Sequence, residues 1–278
     1  MKSLNETLTQ IMAAHSASSF EDWKAVEAAL MQEKIKTLNE TSAPANGYDC
    51  PHCRNKGVIF RLNEATKNFI AVPCKCTATR RCLARMRESG LGNALERLTF
   101  DSFQAEEPWQ ERLLKAARAY AQRPQGWLTM LGQSGCGKTH LCTAVCGELL
   151  RRGEQVLYFS WREEAARLKA ATPEHRAELM DNSLNAPYLY IDDLLKTGRG
   201  PDGTIQPTAG DLNLAFTILN HRYSRSLPTI LSSELGIAEL LRLDEALGSR
   251  IAERSGVHLC AVRRDPSRNY RLRSVREV

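Results

Sequence analysis

The sequence predicts an α/β fold: a three-layer domain on a central parallel sheet, preceded by a small helical and zinc-ribbon-like N-terminal part. Three observations carry that expectation. Gly132-Gln-Ser-Gly-Cys-Gly-Lys-Thr139 matches the phosphate-binding pattern G-x-x-x-x-G-K-[ST] without a mismatch. The apolar run Trp127 to Leu131 precedes it, and His140 to Arg152 follows with Leu141, Val145, Leu149 and Leu150 on one side of a helix. Further on, Tyr188-Leu-Tyr-Ile leads into the paired acids Asp192 and Asp193, so strand and helix signals alternate as a parallel sheet requires.

The glycine loop implies its own chemistry. Three glycines let successive N–H groups curl towards phosphate oxygens, and the helix N-terminus adds partial positive charge. This assigns Gly132, Ser134, Gly135, Cys136, Gly137, Lys138, Thr139 and His140 to a nucleotide site. Lys138 is expected to reach the β- and γ-phosphates, and Thr139 to offer its hydroxyl to Mg²⁺. Asp192, at the end of its strand, is expected beside the loop, where it can hold the same ion through water. Asp193 is placed to polarise the attacking water; being one methylene shorter than Glu, it suits slow or partner-dependent hydrolysis. Pro228 to Ser233 reads as a fourth strand ending in Ser232, Ser233 and Glu234. Ser233 is the expected phosphate contact there, with Glu234 as the alternative.

Between these landmarks the chain reads as helix Pro108 to Gln122, strand Gln155 to Ser160, and a helical stretch Trp161 to Leu184 broken at Thr172-Pro173. Lys196 to Asp211, with four glycines, reads as a mobile loop, followed by helix Leu212 to Tyr223. Helix Ile237 to Leu241 and the run Leu247 to Arg254 follow, and the close from Arg263 to Arg276 sets six arginines against Asp265 alone.

Composition is that of a soluble globular chain: 278 residues, 42% hydrophobic, 25% charged. No apolar run approaches the ~20 residues of a membrane span, and the N-terminus lacks a signal-peptide core, so a cytoplasmic protein without a membrane partner is expected. The net charge of +6 is uneven. Residues 1–45 hold four basic and six acidic side chains, residues 46–100 ten and four. That permits nucleic-acid binding without demanding it.

Two helices are expected over 3–16 and 19–40, the second with Ser18 and Glu21 at capping-box spacing and Phe20, Trp23, Val26 and Leu30 along one side. That stripe either packs on the protein's own body or docks onto another protein. Thr41 to Gly47 is a linker by composition. Cys50-Pro-His-Cys53 and Cys74-Lys-Cys76 then flank a predicted hairpin, Gly57 to Arg61 and Asn68 to Val72 around the turn Asn63 to Lys67. A hairpin that joins two cysteine pairs in a reducing compartment builds a four-thiolate structural Zn²⁺ site, with Cys82 and His52 as substitutes. Thr77 to Gly90, carrying Arg80, Arg81, Arg85 and Arg87, reads as a basic helix whose default is a solvated face. Cys136, Cys142 and Cys146 read as packing thiols.

Together GQSGCGKTHL, LYIDDLLK, NHRY, LPTILSSEL and LGSRIAER resemble the bacterial and phage helicase-loader ATPases, the DnaC/DnaI group of AAA+ proteins, and their relatives, the IstB transposon helpers. The resemblance covers residues 98–278 well and the front end more loosely. It implies an AAA+ domain over 98–278, a zinc-binding domain over 46–90 and a helical partner-binding segment over 1–45. It also implies ATP as the nucleotide, Arg250 as an arginine finger reaching a neighbouring subunit, with Arg254 as the alternative, and self-assembly on a hexameric replicative helicase with delivery to single-stranded DNA. The competing expectation within the fold is an ATPase that assists a transposase on duplex DNA. A small-molecule kinase is disfavoured, because paired acids and a Gly-Ser-Arg run suit water attack and assembly rather than an acceptor pocket.

Overall fold

A computed structural model describes residues 20–44, 49–66, 68–86, 94–198 and 205–272. The expected helix over 3–16, Ser18 of the capping box, part of the linker, Lys67, Arg87, residues 199–204 and Arg273 with Arg276 lie outside the described residues. The chain divides into two compact units, Met1–Arg80 and Arg81–Val278.

The first unit pairs helix Phe20–Glu40 with an antiparallel hairpin, β1 Val58–Leu62 and β2 Phe69–Pro73. Both strands start one residue later than expected. Gly57 is diverted from the ladder at φ +77°, and its carbonyl accepts from Cys74 N and Thr77 Oγ1. The helix end is held by several side chains: Arg54 donates to the Glu40 carbonyl at 2.6 Å and Lys56 to the Leu38 carbonyl. Asn39 donates Nδ2 to the Phe60 carbonyl and accepts the Phe60 N–H, both at 2.9 Å, so its amide imitates a neighbouring strand. Of the predicted stripe, Val26 is buried and Trp23 is exposed.

The second unit holds a five-stranded, wholly parallel sheet. Its strands are β3 Trp127–Leu131, β4 Val156–Ser160, β5 Tyr188–Asp192, β6 Thr229–Ser233 and β7 Leu259–Ala261, in spatial order β4-β5-β6-β3-β7. Strands covered on both faces read as continuous apolar runs, which is why the sequence located β3 to β6 closely; β7, three residues long, was not anticipated. Alternation then sorts them into two cores. Leu128, Met130, Ile230 and Tyr190 pack with helices Pro108–Gln122 and Lys138–Arg151 on one face. Trp127, Leu131, Ile191 and Leu231 pack with helices Trp161–Ala170, Ala209–Ser224 and Glu245–Ser255 on the other. Cys142 and Cys146 are fully buried in the first core, as packing thiols should be.

Several boundaries needed tertiary information. The helix after the glycine loop begins at Lys138, not His140, because Gly137 itself serves as its N-cap. The break at Thr172-Pro173 stands, with Thr172 capping helix Pro173–Asn185. The polar loop ends earlier than expected, since a reciprocal capping box between Thr208 and Asp211 starts the next helix at Ala209. Asp211 is buried there and paired with Lys169 at 2.5 Å. Arg222, from the NHRY run, is fully buried and works structurally. It donates to the carbonyls of Ser183, Ala186 and Pro228 and to Thr229 Oγ1, and burial lowers its pKa to about 10.

Burial alone would raise the Asp211 carboxyl, but the bonds from Lys169 and Thr208 outweigh it and hold it below its usual 3.8. A carboxyl depressed in the folded state stabilises above its unfolded pKa and loses that contribution as pH falls through the folded value. Asp211→Asn should therefore cost about 1–2 kcal/mol at neutral pH. The gap to the natural chain should close below about pH 4 in urea unfolding.

Candidate functional site

The glycine loop joins β3 to helix Lys138–Arg151 and floors a cavity of about 430 Å³ within the second unit. Three of its glycines are required sterically, the first being Gly132 at φ +141°, where a Cβ would lie 2.8 Å from the Val262 carbonyl oxygen. Gly135 sits at φ +78°, and a Cβ there would lie 1.9 Å from Asn269 Oδ1; Gly137 sits at φ +94°, where a Cβ would meet the Phe103 ring at 2.7 Å. Lys138, almost fully buried, spans the loop, with Nζ donating to the Gly132 carbonyl at 2.7 Å and the Gln133 carbonyl at 2.8 Å. Ser134, Gly135, Cys136, Gly137, Thr139 and His140 all line the cavity, as expected. The His140 imidazole meets the Phe103 ring edge-on at 5.1 Å and lies 2.8 Å from the Thr99 carbonyl. Burial lowers its pKa despite that carbonyl, so the ring stays neutral at physiological pH. Phe103, Trp109 and Leu98 make the far wall apolar, which suits a flat base.

Asp192 is held by four hydroxyls from four elements. Oδ1 accepts from Thr139 Oγ1 at 3.1 Å, Tyr190 at 2.8 Å and Ser232 at 2.5 Å, and Oδ2 accepts from Tyr158 at 3.2 Å. Burial and the adjacent Asp192 push the Tyr190 hydroxyl well above 10, so it remains a donor. The Thr139 hydroxyl and the Asp192 carboxylate are hard oxygen donors converging beside the phosphate loop, a pair that fits Mg²⁺. Tyr158, Tyr190 and Ser232 were not anticipated as supports. The parallel register Tyr158↔Tyr190↔Ile230 brings them together, which no local spacing reveals.

Asp193 turns the chain at φ +55°, and its side chain lines the cavity. Ser232 accepts its N–H at 2.9 Å. Lys196 bridges Asp193 and Glu234, with 2.8 Å to each carboxylate. Burial would lower its pKa, but bonds to both acids more than offset that and raise it. Ser233, the expected phosphate contact, does not face the cavity: it is fully buried, donates to the Leu194 carbonyl at 2.9 Å and accepts the Leu235 N–H at 3.2 Å. Glu234 lines the cavity instead. Ser233 ends β6 with its hydroxyl tied to Leu194 and Leu235, and Glu234 is the first residue past the strand.

The C-terminal segment also contributes; its charge is legible in the sequence, its place only in the fold. Gln133 and Asp265 exchange hydrogen bonds of 2.7 and 2.6 Å, the Tyr270 N–H donates to the Gly135 carbonyl at 3.0 Å, and Arg268 and Arg271 line the cavity. Arg250 lies elsewhere. Its guanidinium stacks over Phe216 at 5.2 Å and Tyr223 at 5.4 Å, donates to the Ala246 carbonyl, and forms no wall of the cavity. Arg254 shares the Tyr223 ring.

In the first unit, the sulfurs of Cys50, Cys53, Cys74 and Cys76 are buried and lie within 4.8 Å of one another. Cys50–Cys74 is 3.8 Å and Cys53–Cys76 is 3.4 Å. A tetrahedral ion with bonds of ~2.3 Å sets its sulfurs about 3.8 Å apart, so this donor set fits Zn²⁺; a disulfide needs about 2.05 Å. Burial works against a thiolate at Cys53, yet the Gly57 N–H and the neighbouring sulfurs hold it to about 7, while burial and those partners push Cys76 to about 12. The substitutes are not part of the cluster. His52 is exposed, and Cys82 packs with Met86 in the core of the second unit.

With this geometry in hand, comparison with known proteins is direct. Residues 73–278 match the family model described as IstB-like ATP binding protein. The chain belongs to this family. It is 33% identical to the phage-like element PBSX protein XkdC of Bacillus subtilis over 84% of this chain and 89% of that one. It is 26% identical to the replicative helicase loader DnaC of Escherichia coli K12, over 60% of this chain and 66% of that one. Among solved structures, one described as a DNA replication initiation factor matches with a TM-score of 0.50 and 19% identity, covering 64% of this chain and 52% of that one. The expected resemblance and the AAA+ fold are borne out, and this IstB-like chain is an ATP-binding ATPase.

Gly135→Ala should test the loop most cleanly. The left-handed backbone and the Asn269 contact both oppose a Cβ. ATP affinity by calorimetry is expected to fall at least about tenfold, equivalent to ~1.4 kcal/mol, while left-handed strain of ~1–2 kcal/mol lowers the thermal midpoint by a few degrees.

Proposed function

We propose that this IstB-like ATPase is a helicase loader in DNA replication initiation. It would bind a hexameric replicative helicase and deliver it to single-stranded DNA, with ATP binding and hydrolysis as the switch. The relative named as a replicative helicase loader supports this choice over a metabolic ATPase. The carrying observation is Arg250, which stands off its own cavity on an aromatic shelf while Lys138, Thr139 and Asp193 line that cavity and Asp192 backs Thr139. A planar, permanently charged group so placed suits the γ-phosphate of a neighbouring subunit, and hydrolysis then depends on assembly.

Within one subunit the roles follow from position. Lys138 is the cation for the β- and γ-phosphates, and Asp193 orients and polarises the attacking water. Glu234 replaces Ser233 as the residue facing the terminal phosphate. Thr139 and Asp192 would hold Mg²⁺, which when bound neutralises charge on the phosphate oxygens. Hydrolysis is slow unless DNA or a partner completes the site. Residues 98–278 form the ATPase domain, and residues 46–90 a domain closed by Zn²⁺ on Cys50, Cys53, Cys74 and Cys76, which leave no open position for catalysis. Residues 1–45 grip the partner, for which exposed Trp23 is a ready anchor. Such a protein works in the cytoplasm of a bacterium or a phage-infected host.

The family model itself favours one alternative, an ATPase that assists a transposase in choosing duplex target DNA. Stimulation by single-stranded rather than duplex DNA decides between the two. In pull-downs with the replicative helicase, ATP should strengthen capture, and Lys138→Ala should remove that dependence; unchanged capture by the variant would reject the loader. Arg250→Ala should cut assembled ATPase turnover at least about a hundredfold while sparing ATP binding. A loss seen only with Arg254→Ala would move the finger by one turn. Native mass spectrometry should find one zinc per chain, absent after Cys53→Ser.

A further inference from the structure

Glu234 poses an electrostatic problem that the nucleotide site has to solve. It puts a carboxylate, only 6% exposed, on the wall of a cavity built for a polyanion. With Asp193 it would set two negative charges against the terminal phosphate. Lys196 lies between them, 2.8 Å from each, and lines the same cavity. Its position is fixed by the backbone. The turn after β5 takes two non-glycine residues into the left-handed region, Asp193 at φ +55° and Leu195 at φ +63°. β6 holds that turn in place, through Leu194 N to the Ser232 carbonyl at 2.8 Å and Ser233 Oγ to the Leu194 carbonyl at 2.9 Å. Leu194 and Leu195 are buried beneath it. A strained turn over two buried leucines returns one cation to the pair of acids.

We infer that Lys196 is a positioning residue of the ATPase: it tethers Asp193 to Glu234, fixing the carboxylate that faces the attacking water, and presents its remaining N–H to the terminal phosphate. An ammonium has three donors, and among the described residues Asp193 and Glu234 take one each. The third can distinguish a triphosphate from a diphosphate, because only the triphosphate supplies an oxygen at that depth. Lys196 thereby couples what is bound to where Asp193 points. The tether explains how an acid at the end of β6 is tolerated in a phosphate site. This inference rests on the assignment of Asp193 to the attacking water.

The test uses the full-length protein, with a fluorescent non-hydrolysable ATP analogue and fluorescent ADP as probes, and steady-state hydrolysis measured alongside. Lys196→Met should lower kcat about tenfold to a hundredfold. It should weaken the ATP analogue about tenfold, with ADP affinity changed less than about threefold, so that the preference for triphosphate collapses. Lys196→Arg, which keeps the charge and can reach both acids, should restore both readouts to within about threefold. Lys196→Met combined with Glu234→Gln removes the buried negative charge together with the cation, so it should fold even if the single variant does not, and it should stay impaired in kcat and in triphosphate preference. Natural values in Lys196→Met, or their full recovery in the double variant, overturn the inference, the second by reducing Lys196 to a neutraliser of Glu234. Asp193→Asn separates the two assignments: if it hydrolyses ATP normally, the role of Asp193 fails whatever Lys196 does. If it is inactive while Lys196→Met is normal, only the tether fails.

Discussion

The Asp192 carboxylate is the contact on which the catalytic edge of the sheet depends. Four hydroxyls reach it, from the helix after the glycine loop, from β4, from β5 itself and from β6. Each costs desolvation unless bonded, and one carboxylate satisfies all four. Loop, central strand and neighbouring strands are thus held in one arrangement before any nucleotide arrives. A slip in any one strand would strand a buried hydroxyl, so the sheet's register and the site's geometry are the same constraint.

Around that centre the molecule keeps structural and chemical charges apart. Arg222 and Asp211 are buried charges that touch neither cavity nor cysteines. The first caps carbonyls between a helix end and β6, and the second starts a helix and pairs with Lys169. Lys138, Asp193, Lys196 and Glu234 instead converge on the cavity wall. Cation and anion alternate there, which keeps the local field tolerable for a triphosphate despite two acids.

The cysteine unit solves a different problem. A hairpin of two five-residue strands and one helix buries little apolar surface, and among the described residues only Ile59 packs against the sulfur cluster. Four buried thiols lie within bonding reach of one tetrahedral ion, which would supply the cross-link that such a small core lacks. The Asn39 amide adds a pseudo-strand contact, fastening the helix end to the hairpin by hydrogen bonds rather than by area. Trp23 on this helix stays exposed.

What the sequence determined by itself were features whose cause is local. The glycine loop, the apolar runs of β3 and β5, the acids closing β5 and the two cysteine pairs each follow from spacing and side-chain type within a few residues. Their positions were legible to within a residue or two. Tertiary structure decided whatever depends on the facing of a side chain or on residues distant in the chain. Ser233, at the end of β6, is buried against Leu194, whereas Glu234, one residue past the strand, lines the cavity. The C-terminal arginines and Asn269 came to the glycine loop across more than 130 residues of sequence. Lys196 found Glu234 only because β5 and β6 are neighbours in the sheet, a pairing set by register that no spacing along the chain encodes.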